Sequence, residues 1–184
     1  MARRVRPAAA DWLPEARQVP SPNQDPRPAG AEISLLVLHC ISLPRGEYGG
    51  DAIERLFTNR LAPAAHAAFA ELAGLRVSAH FLIRRDGALL QFVPLGARAW
   101  HAGASRWRGR ERCNDFSVGV ELEGVDDAPF AAAQYRRLAR LVPTLRARVP
   151  LAALAAHSDI APERKTDPGA GFDWRALLRA LARA

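Results

Sequence analysis

The 184-residue sequence is poor in several things, and each shortage narrows what it can be. It has no uncharged apolar run near the ~18 residues that cross a bilayer; the clearest one, Val149 to Ala156, has eight. No membrane span is expected. Arg3, Arg4 and Arg6 open the chain, but Pro7, three alanines and Asp11 follow. That stretch is too short and too polar for the apolar core of a secretory signal, so a cytoplasmic location is expected. Cysteine is scarce: Cys40 and Cys113 stand far apart, which fits neither a disulfide-dense secreted scaffold nor a paired-cysteine zinc knuckle.

Lysine is nearly absent. Of 26 basic residues all but Lys165 are arginine, and the formal charge is +7. Such a balance suits nucleic acid, a membrane surface or an anionic small substrate. The arginines are spread along the whole chain and no nucleic-acid motif accompanies them, so neither nucleic acid nor a membrane is an expected partner. What is present, 49% hydrophobic and 24% charged residues, is the composition of one globular domain.

Residues 1–30 hold six prolines and little periodicity, and are expected to form an extended arm over a domain at 31–184. Leu35 to His39 is an apolar run ending in a polar residue, the pattern of a buried central strand, and a Pro/Gly-rich loop follows it. Asp51 to Phe57 and Ala64 to Leu72 are expected to be helical. Val77 to Ile83, Asp86-Gly87 and Ala88 to Val93 read as strand, turn and strand. Ser117 to Glu123 alternates apolar Val118, Val120 and Leu122 with polar or small residues, a half-buried strand. Leu138, Leu141, Val142 and Leu145 recur at helical spacing, with Pro143 predicting a kink. Trp174, Leu177, Leu178 and Leu181 repeat that spacing behind the N-cap candidate Asp173. Strands and helices intermix, so the expected fold is a single α/β domain with a central mixed sheet flanked by helices.

Most lone histidines are structural or surface residues. His66, among alanines, is read that way, and His80 as packed or supporting. His39 ends an apolar strand at a loop, where α/β folds place functional side chains. His157 opens a stretch through Gly169 that is poor in apolar residues, broken by prolines and read as a loop; it holds acids and the single lysine. Zinc hydrolases commonly use three His or carboxylate ligands and leave a fourth position for water. His39, His157 and Asp167 would supply that set.

The segments around His39, Val77 to Gly87, Arg98 to Gly103, Gly109 to Gly124 and His157 to Gly169 resemble the AmpD branch of the zinc-dependent N-acetylmuramoyl-L-alanine amidases, over nearly the whole chain. The resemblance implies the type 2 amidase, peptidoglycan-recognition-like fold and one zinc per chain. It implies a monomeric cytosolic enzyme of cell-wall recycling that cleaves the amide between the lactyl group of 1,6-anhydro-N-acetylmuramic acid and L-alanine, with an influence on β-lactamase induction where that circuit exists. Carried over by position, it makes His39, His157 and Asp167 the ligands, Glu121 the general base and Lys165 the oxyanion stabiliser. Glu123 shares the strand face of Glu121, and the family motif selects Glu121. Arg76, Ala99, Trp100 and Arg112 inherit contacts to the anhydro-muropeptide. Two positions depart from the pattern: Cys40, read as a small packed thiol, and Pro143. Competing readings are a muropeptide-binding module without catalysis, a nucleic-acid binder, and an amidase acting on intact cell wall.

Overall fold

The computed structural model describes residues 11–183. In chain order it contains β1 (Arg17–Gln18), β2 (Gln24–Pro26), β3 (Leu35–Ile41), α1 (Ala52–Phe57), two 3-10 turns (Pro63–Ala65 and Ala67–Leu72), β4 (Phe81–Ile83), β5 (Leu89–Gln91), β6 (Ala97–Ala99), β7 (Arg106–Trp107) and β8 (Arg110–Glu111). A 3-10 turn at Cys113–Asp115 leads into β9 (Ser117–Glu123), α2 (Ala132–Arg146), β10 (Ala153–Ala156), α3 (His157–Ile160) and α4 (Trp174–Leu181). Six strands form one sheet in the order β1-β5-β4-β9-β3-β10. All neighbours are parallel except β4 and β5, so the sheet is mixed, as expected.

The period of two along each strand divides the core. Leu36 and Leu38 of β3, with Val118, Val120 and Leu122 of β9, face α2 and α4, where Leu138, Leu141, Val142, Leu145 and Leu177 close over them. On the opposite face Leu35 and Val37 pack with Phe116 and Ile160, while Leu82 and Leu90 pack with α1 through Ile53, Leu56 and Phe57. His39 and Glu121 belong to this second face, at the end of their strands.

Several local expectations are corrected by the coordinates. The Ala64–Leu72 stretch forms two 3-10 turns, not an α-helix, and His66 caps the second by accepting the Ala68 N–H at 3.1 Å. The strand expected from Val77 begins only at Phe81; upstream of it the Ser78 N–H leaves the sheet for the Trp100 carbonyl, while the His80 N–H already reaches Gly119 of β9. α2 runs through Pro143 to Arg146: the missing N–H falls in the last turn, where the carbonyl of Ala139 alone loses a helical partner. His157 opens a one-turn helix instead of lying in a loop, its first turn closed by Asp159 bonding back to the Ala156 N–H at 2.8 Å. α4 is capped by Asp173, which accepts the Ala176 N–H at 2.9 Å.

The first ten residues of the expected arm lie outside the described residues. From residue 11 the segment is extended and joins the domain: β1 extends the main sheet beside β5, and β2 pairs with β6. Arg27 drives its guanidinium under the site, donating to the carbonyls of Leu95, Asn114, Asp115 and Ser117.

Leu122 is fully buried in the α2-facing core next to the functional end of β9. Leu122→Ala is expected to cost about 2–5 kcal/mol of unfolding free energy, read as a lower urea midpoint with unchanged slope.

Candidate metal and catalytic centre

Parallel pairing of β3 with β9 sets His39 directly beside Glu121, and pairing of β4 with β9 sets Leu82 on the other side of Glu121. β10, on the far side of β3, delivers His157 at the first residue of α3. The chain then turns back, and the Ser158 N–H donates to the Asp167 carbonyl at 3.0 Å, bringing Asp167 to the two histidines. His39 Nδ1 lies 2.8 Å from His157 Nδ1, and Asp167 Oδ2 lies 3.2 Å and 3.0 Å from them.

The remaining ring nitrogens decide what these three atoms present. His39 Nε2 is 2.9 Å from His101 Nδ1, and His157 Nε2 is 3.4 Å from the Ala102 carbonyl. With the protons held on both Nε2 atoms, two imidazole lone pairs and a carboxylate oxygen converge on one point, an arrangement that repels itself unless a cation sits there. Tetrahedral zinc with bonds of about 2.0–2.1 Å keeps its ligand atoms roughly 3.3 Å apart, so the 2.8 to 3.2 Å triangle fits such an ion. The three residues could hold a metal.

Burial lowers the His39 imidazole from 6.5 to about 4, with Asp167 opposing in part. Burial also pulls His80 and His101 well below the ordinary range. Against the upward pull of burial, the neighbouring His157 and His39 rings keep the Asp167 carboxyl below the ordinary carboxylate range, so it is ionised. A neutral His39 imidazole and an ionised Asp167 carboxylate are the forms that bind metal.

The two carboxylates of β9 have opposite environments. Glu123 is saturated: its oxygens accept from Arg84 at 2.6 Å, the Gly49 N–H at 2.9 Å and the Arg85 N–H at 3.0 Å. Glu121 Oε2 is, among the described residues, the buried side-chain polar atom without a hydrogen-bond partner. Burial and the nearby Asp167 raise its pKa well above the ordinary range, while Lys165 pulls it down. A desolvated carboxylate that keeps a free lone pair beside a metal-type donor set is suited to moving a proton.

A cavity of about 280 Å³ opens on His39, His157, Asp167, Glu121 and Lys165. Its opposite wall is apolar, with Leu43, Leu56, Phe57, Leu72 and Val77, and Trp100 stands at its side. Trp100 is anchored: its N–H donates to Ser78 Oγ at 3.1 Å, and its indole reaches Asp25. Asp25 is in turn gripped by both ends of Arg98 at 2.6 Å.

The other sequence candidates lie elsewhere. Ala99 is fully buried, paired with Gln24 of β2, and does not line the cavity. Arg76 is exposed between the lining residues Leu75 and Val77, without lining the cavity itself. Arg112 is 70% exposed, engages Asp115 at 3.2 Å and borders a separate hollow with Arg106 and Arg164. Cys40 points away from His39 into the α2-facing core, and burial raises its thiol, the packed role expected of it.

Sequence reasoning gave no role to His101, yet its ring stands against His39 edge-on, with centroids 5.0 Å apart. A signal was available: Ser117 and Gly119 put two small residues on the Glu121 face of β9. A Cβ at Gly119 would come within 2.5 Å of the His101 ring.

Acidification tests this electrostatic account. For His39, His80 and His101 the folded state refuses a proton that the unfolded chain accepts, so each subtracts stability as pH falls from 6.5 towards 4. Glu121 acts oppositely, since protonation relieves its burial. Asp167, held low, begins to lose its contribution in the same sense at the acid end of the interval, and the chelator-treated protein is expected to melt at progressively lower temperature as the pH falls; a flat or rising profile contradicts the assignment.

Residues 29–170 match the family model described as N-acetylmuramoyl-L-alanine amidase. The 1,6-anhydro-N-acetylmuramyl-L-alanine amidase AmpD of Salmonella typhimurium is 58% identical over 172 residues, covering 91% of this chain and 92% of that protein. A crystal structure of a selenomethionine AmpD derivative superposes with a TM-score of 0.91 at 55% identity, covering 94% of this chain and 97% of that one. The Escherichia coli amidase AmiD, solved with its substrate anhydro-N-acetylmuramic acid-L-Ala-D-γ-Glu-L-Lys, superposes with a TM-score of 0.60 at 30% identity, covering 85% of this chain and 60% of that one.

Proposed function

The chain belongs to the N-acetylmuramoyl-L-alanine amidase family, in its AmpD-type branch, and is an amide hydrolase of that class; on that premise we propose that it uses one zinc ion to release the stem peptide from 1,6-anhydro-N-acetylmuramic acid. The observation that carries the zinc reading is the convergence of two imidazole lone pairs and the Asp167 carboxylate within 3.2 Å of one another. The anhydro substrate is supported by the activity for which the AmpD relative is named and by the ligand in the AmiD complex. The same likeness supports a role in recycling wall fragments inside the cell, with β-lactamase induction as a downstream effect where the regulatory circuit exists. No helix of the described residues is long and apolar enough to cross a membrane.

His39, His157 and Asp167 would hold the ion, and its chemistry when bound would be that of a Lewis acid toward the scissile carbonyl and a water. The chain's own groups do the rest. Glu121 Oε2 takes the proton of the attacking water as the C–O bond forms. The same carboxyl then hands that proton to the alanine nitrogen as the C–N bond breaks, so that a neutral amine leaves. Lys165, on the cavity wall, offsets the negative charge that builds on the carbonyl oxygen. Trp100, locked by Ser78 and Asp25, offers a flat face to the sugar or to the lactyl group. Arg76 and Arg112 stand outside the cavity, where they attract the carboxylates of the stem peptide instead of touching the scissile bond.

The saturation of Glu123 argues against exchanging it with Glu121 as base: its lone pairs already hold Arg84 and two backbone N–H groups. The complete donor set argues against a binding module without catalysis.

The decisive experiment is mass-spectrometric detection of free stem peptide from anhydro-muropeptide, with the protein as purified, chelated, and chelated then supplied with zinc. Release should vanish with chelator and return with zinc; muropeptide bound tightly but never cut would instead establish a recognition module. Glu121→Gln is expected to retain zinc and lose about 10²–10⁴-fold in kcat. For Lys165→Ala the loss should be about 10²–10³-fold. A fully active Glu121→Gln would remove Glu121 from the base role.

A further inference from the structure

We propose that Asn114 is a positioning residue of the metal centre, acting through the two consecutive residues, His101 and Ala102, that orient both imidazole ligands. The inference rests on the reading of His39 and His157 as metal ligands. The Asn114 side-chain oxygen accepts two backbone N–H groups, that of His101 at 3.1 Å and that of Ala102 at 2.8 Å. Two donors converging on one atom identify it as the oxygen end of the amide.

Each of the two residues it holds faces a different ligand. His101 Nδ1 stands 2.9 Å from His39 Nε2, and the Ala102 carbonyl stands 3.4 Å from His157 Nε2. A histidine that gives its Nδ1 lone pair to a metal must carry its proton on Nε2, and the acceptor facing that proton fixes both tautomer and ring plane. Both acceptors therefore come from a single dipeptide, and one side chain clamps its backbone.

The proton order is consistent to the end of the chain of contacts. If His39 donates to His101 Nδ1, His101 holds its own proton on Nε2, which faces Ser117 Oγ at 3.2 Å. The His101 ring occupies the space that a side chain at position 119 would fill. Asn114 is itself fixed, since Arg27 donates to the carbonyls of Asn114 and Asp115 at 3.0 and 3.1 Å. The Ala102 carbonyl also receives the Arg164 guanidinium, so its direction is set from two sides.

The test compares the full-length wild type with Asn114→Ala, Asn114→Asp and Gln134→Ala. Aspartate keeps an acceptor at the same reach. Gln134 is a buried amide on α2 that donates to the carbonyls of Ile83 and Glu123, so its loss destabilises the fold without touching the 101–102 segment. Zinc affinity is measured by competition with a chromophoric chelator, ligand geometry by the visible spectrum of the cobalt-loaded protein, and stability by thermal melting. Asn114→Ala should weaken zinc binding about 10–100-fold and shift the cobalt bands, and Asn114→Asp should restore most of both. Gln134→Ala should lower the melting temperature and leave affinity and spectrum unchanged. Wild-type affinity and spectrum in Asn114→Ala, or equal affinity losses in Asn114→Ala and Gln134→Ala, would overturn the inference. Should Asn114→Ala not fold, Asn114→Ser, whose oxygen is too short to reach both N–H groups, takes its place with the same expected direction. A wild type that binds neither zinc nor cobalt overturns the metal reading itself, an outcome distinct from failure of the Asn114 role.

Discussion

A slip of one residue between β3 and β9 would turn every side chain of the moved strand to the other face, sending His39 or Glu121 into the layer of Leu138, Leu141 and Val142. Burial of Leu36, Leu38, Val118, Val120 and Leu122 under α2 and α4 forbids that slip, because it would exchange apolar side chains for polar ones in the same layer. The catalytic geometry is thus held by hydrophobic packing on the far face of the sheet. His39 stands beside Glu121 since the apolar residues one position away have no alternative. The other strands add to this frame: β10 brings in His157, and β4 closes the side of Glu121.

Around that register the protein collects buried polar groups and satisfies nearly all of them. His80 accepts from the Gly119 N–H at 3.1 Å and meets the Ala97 carbonyl at 3.2 Å. Glu123 is closed by Arg84 and two backbone donors. The exceptions among the described residues are informative: one oxygen of Glu121 without a partner, and the His39, His157 and Asp167 atoms that face one another and could hold a metal, are the places where this structure stores unspent polar capacity. Desolvation raises the proton affinity of the Glu121 carboxylate and lowers that of the His39 imidazole, so a single physical cause suits one group to the proposed base role and the other to the proposed ligand role. The apolar cavity wall above them excludes water and strengthens every electrostatic contact within.

Much of this was legible in one dimension. The alternation from Ser117 to Glu123 predicted a half-buried strand with Glu121 on its polar side; the observed β9 has those bounds but is buried on both faces, with Glu121 alone partly exposed. The spacing of Leu138, Leu141, Val142 and Leu145 announced the helix that covers the sheet. Two features misled. Pro143 was expected to kink this helix, and α2 nonetheless continues through it to Arg146, because a proline in the last turn removes only one bond. The polar character of residues 157–169 suggested a loop throughout, whereas a single turn closed by Asp159 gives His157 a helical start. The short runs near Val77 and Ala64 carried apolar residues whose partners are tertiary, and periodicity has no hold on segments of that length.

Residue chemistry and local pattern by themselves determined which groups could act: two histidines, a carboxylate pair and a lone lysine in segments unsuited to packing, on a sheet whose polar face was readable from its alternation. Only the tertiary structure decided how they act. Glu121 and Glu123 are identical in pattern, and what separates them is that Arg84 and the N–H groups of Gly49 and Arg85 arrive at one and not the other. Arg76, Ala99 and Arg112 lie in matching motifs, and the fold sets Arg76 and Arg112 in solvent and Ala99 in the core, none of them on the cavity lining. His101 and Asn114 carried no sequence signal of their own, because hydrogen bonds across 62 and 13 positions give them their partners. Contacts of that kind depend on where distant strands are brought together by burial, a quantity that no local window of residues contains.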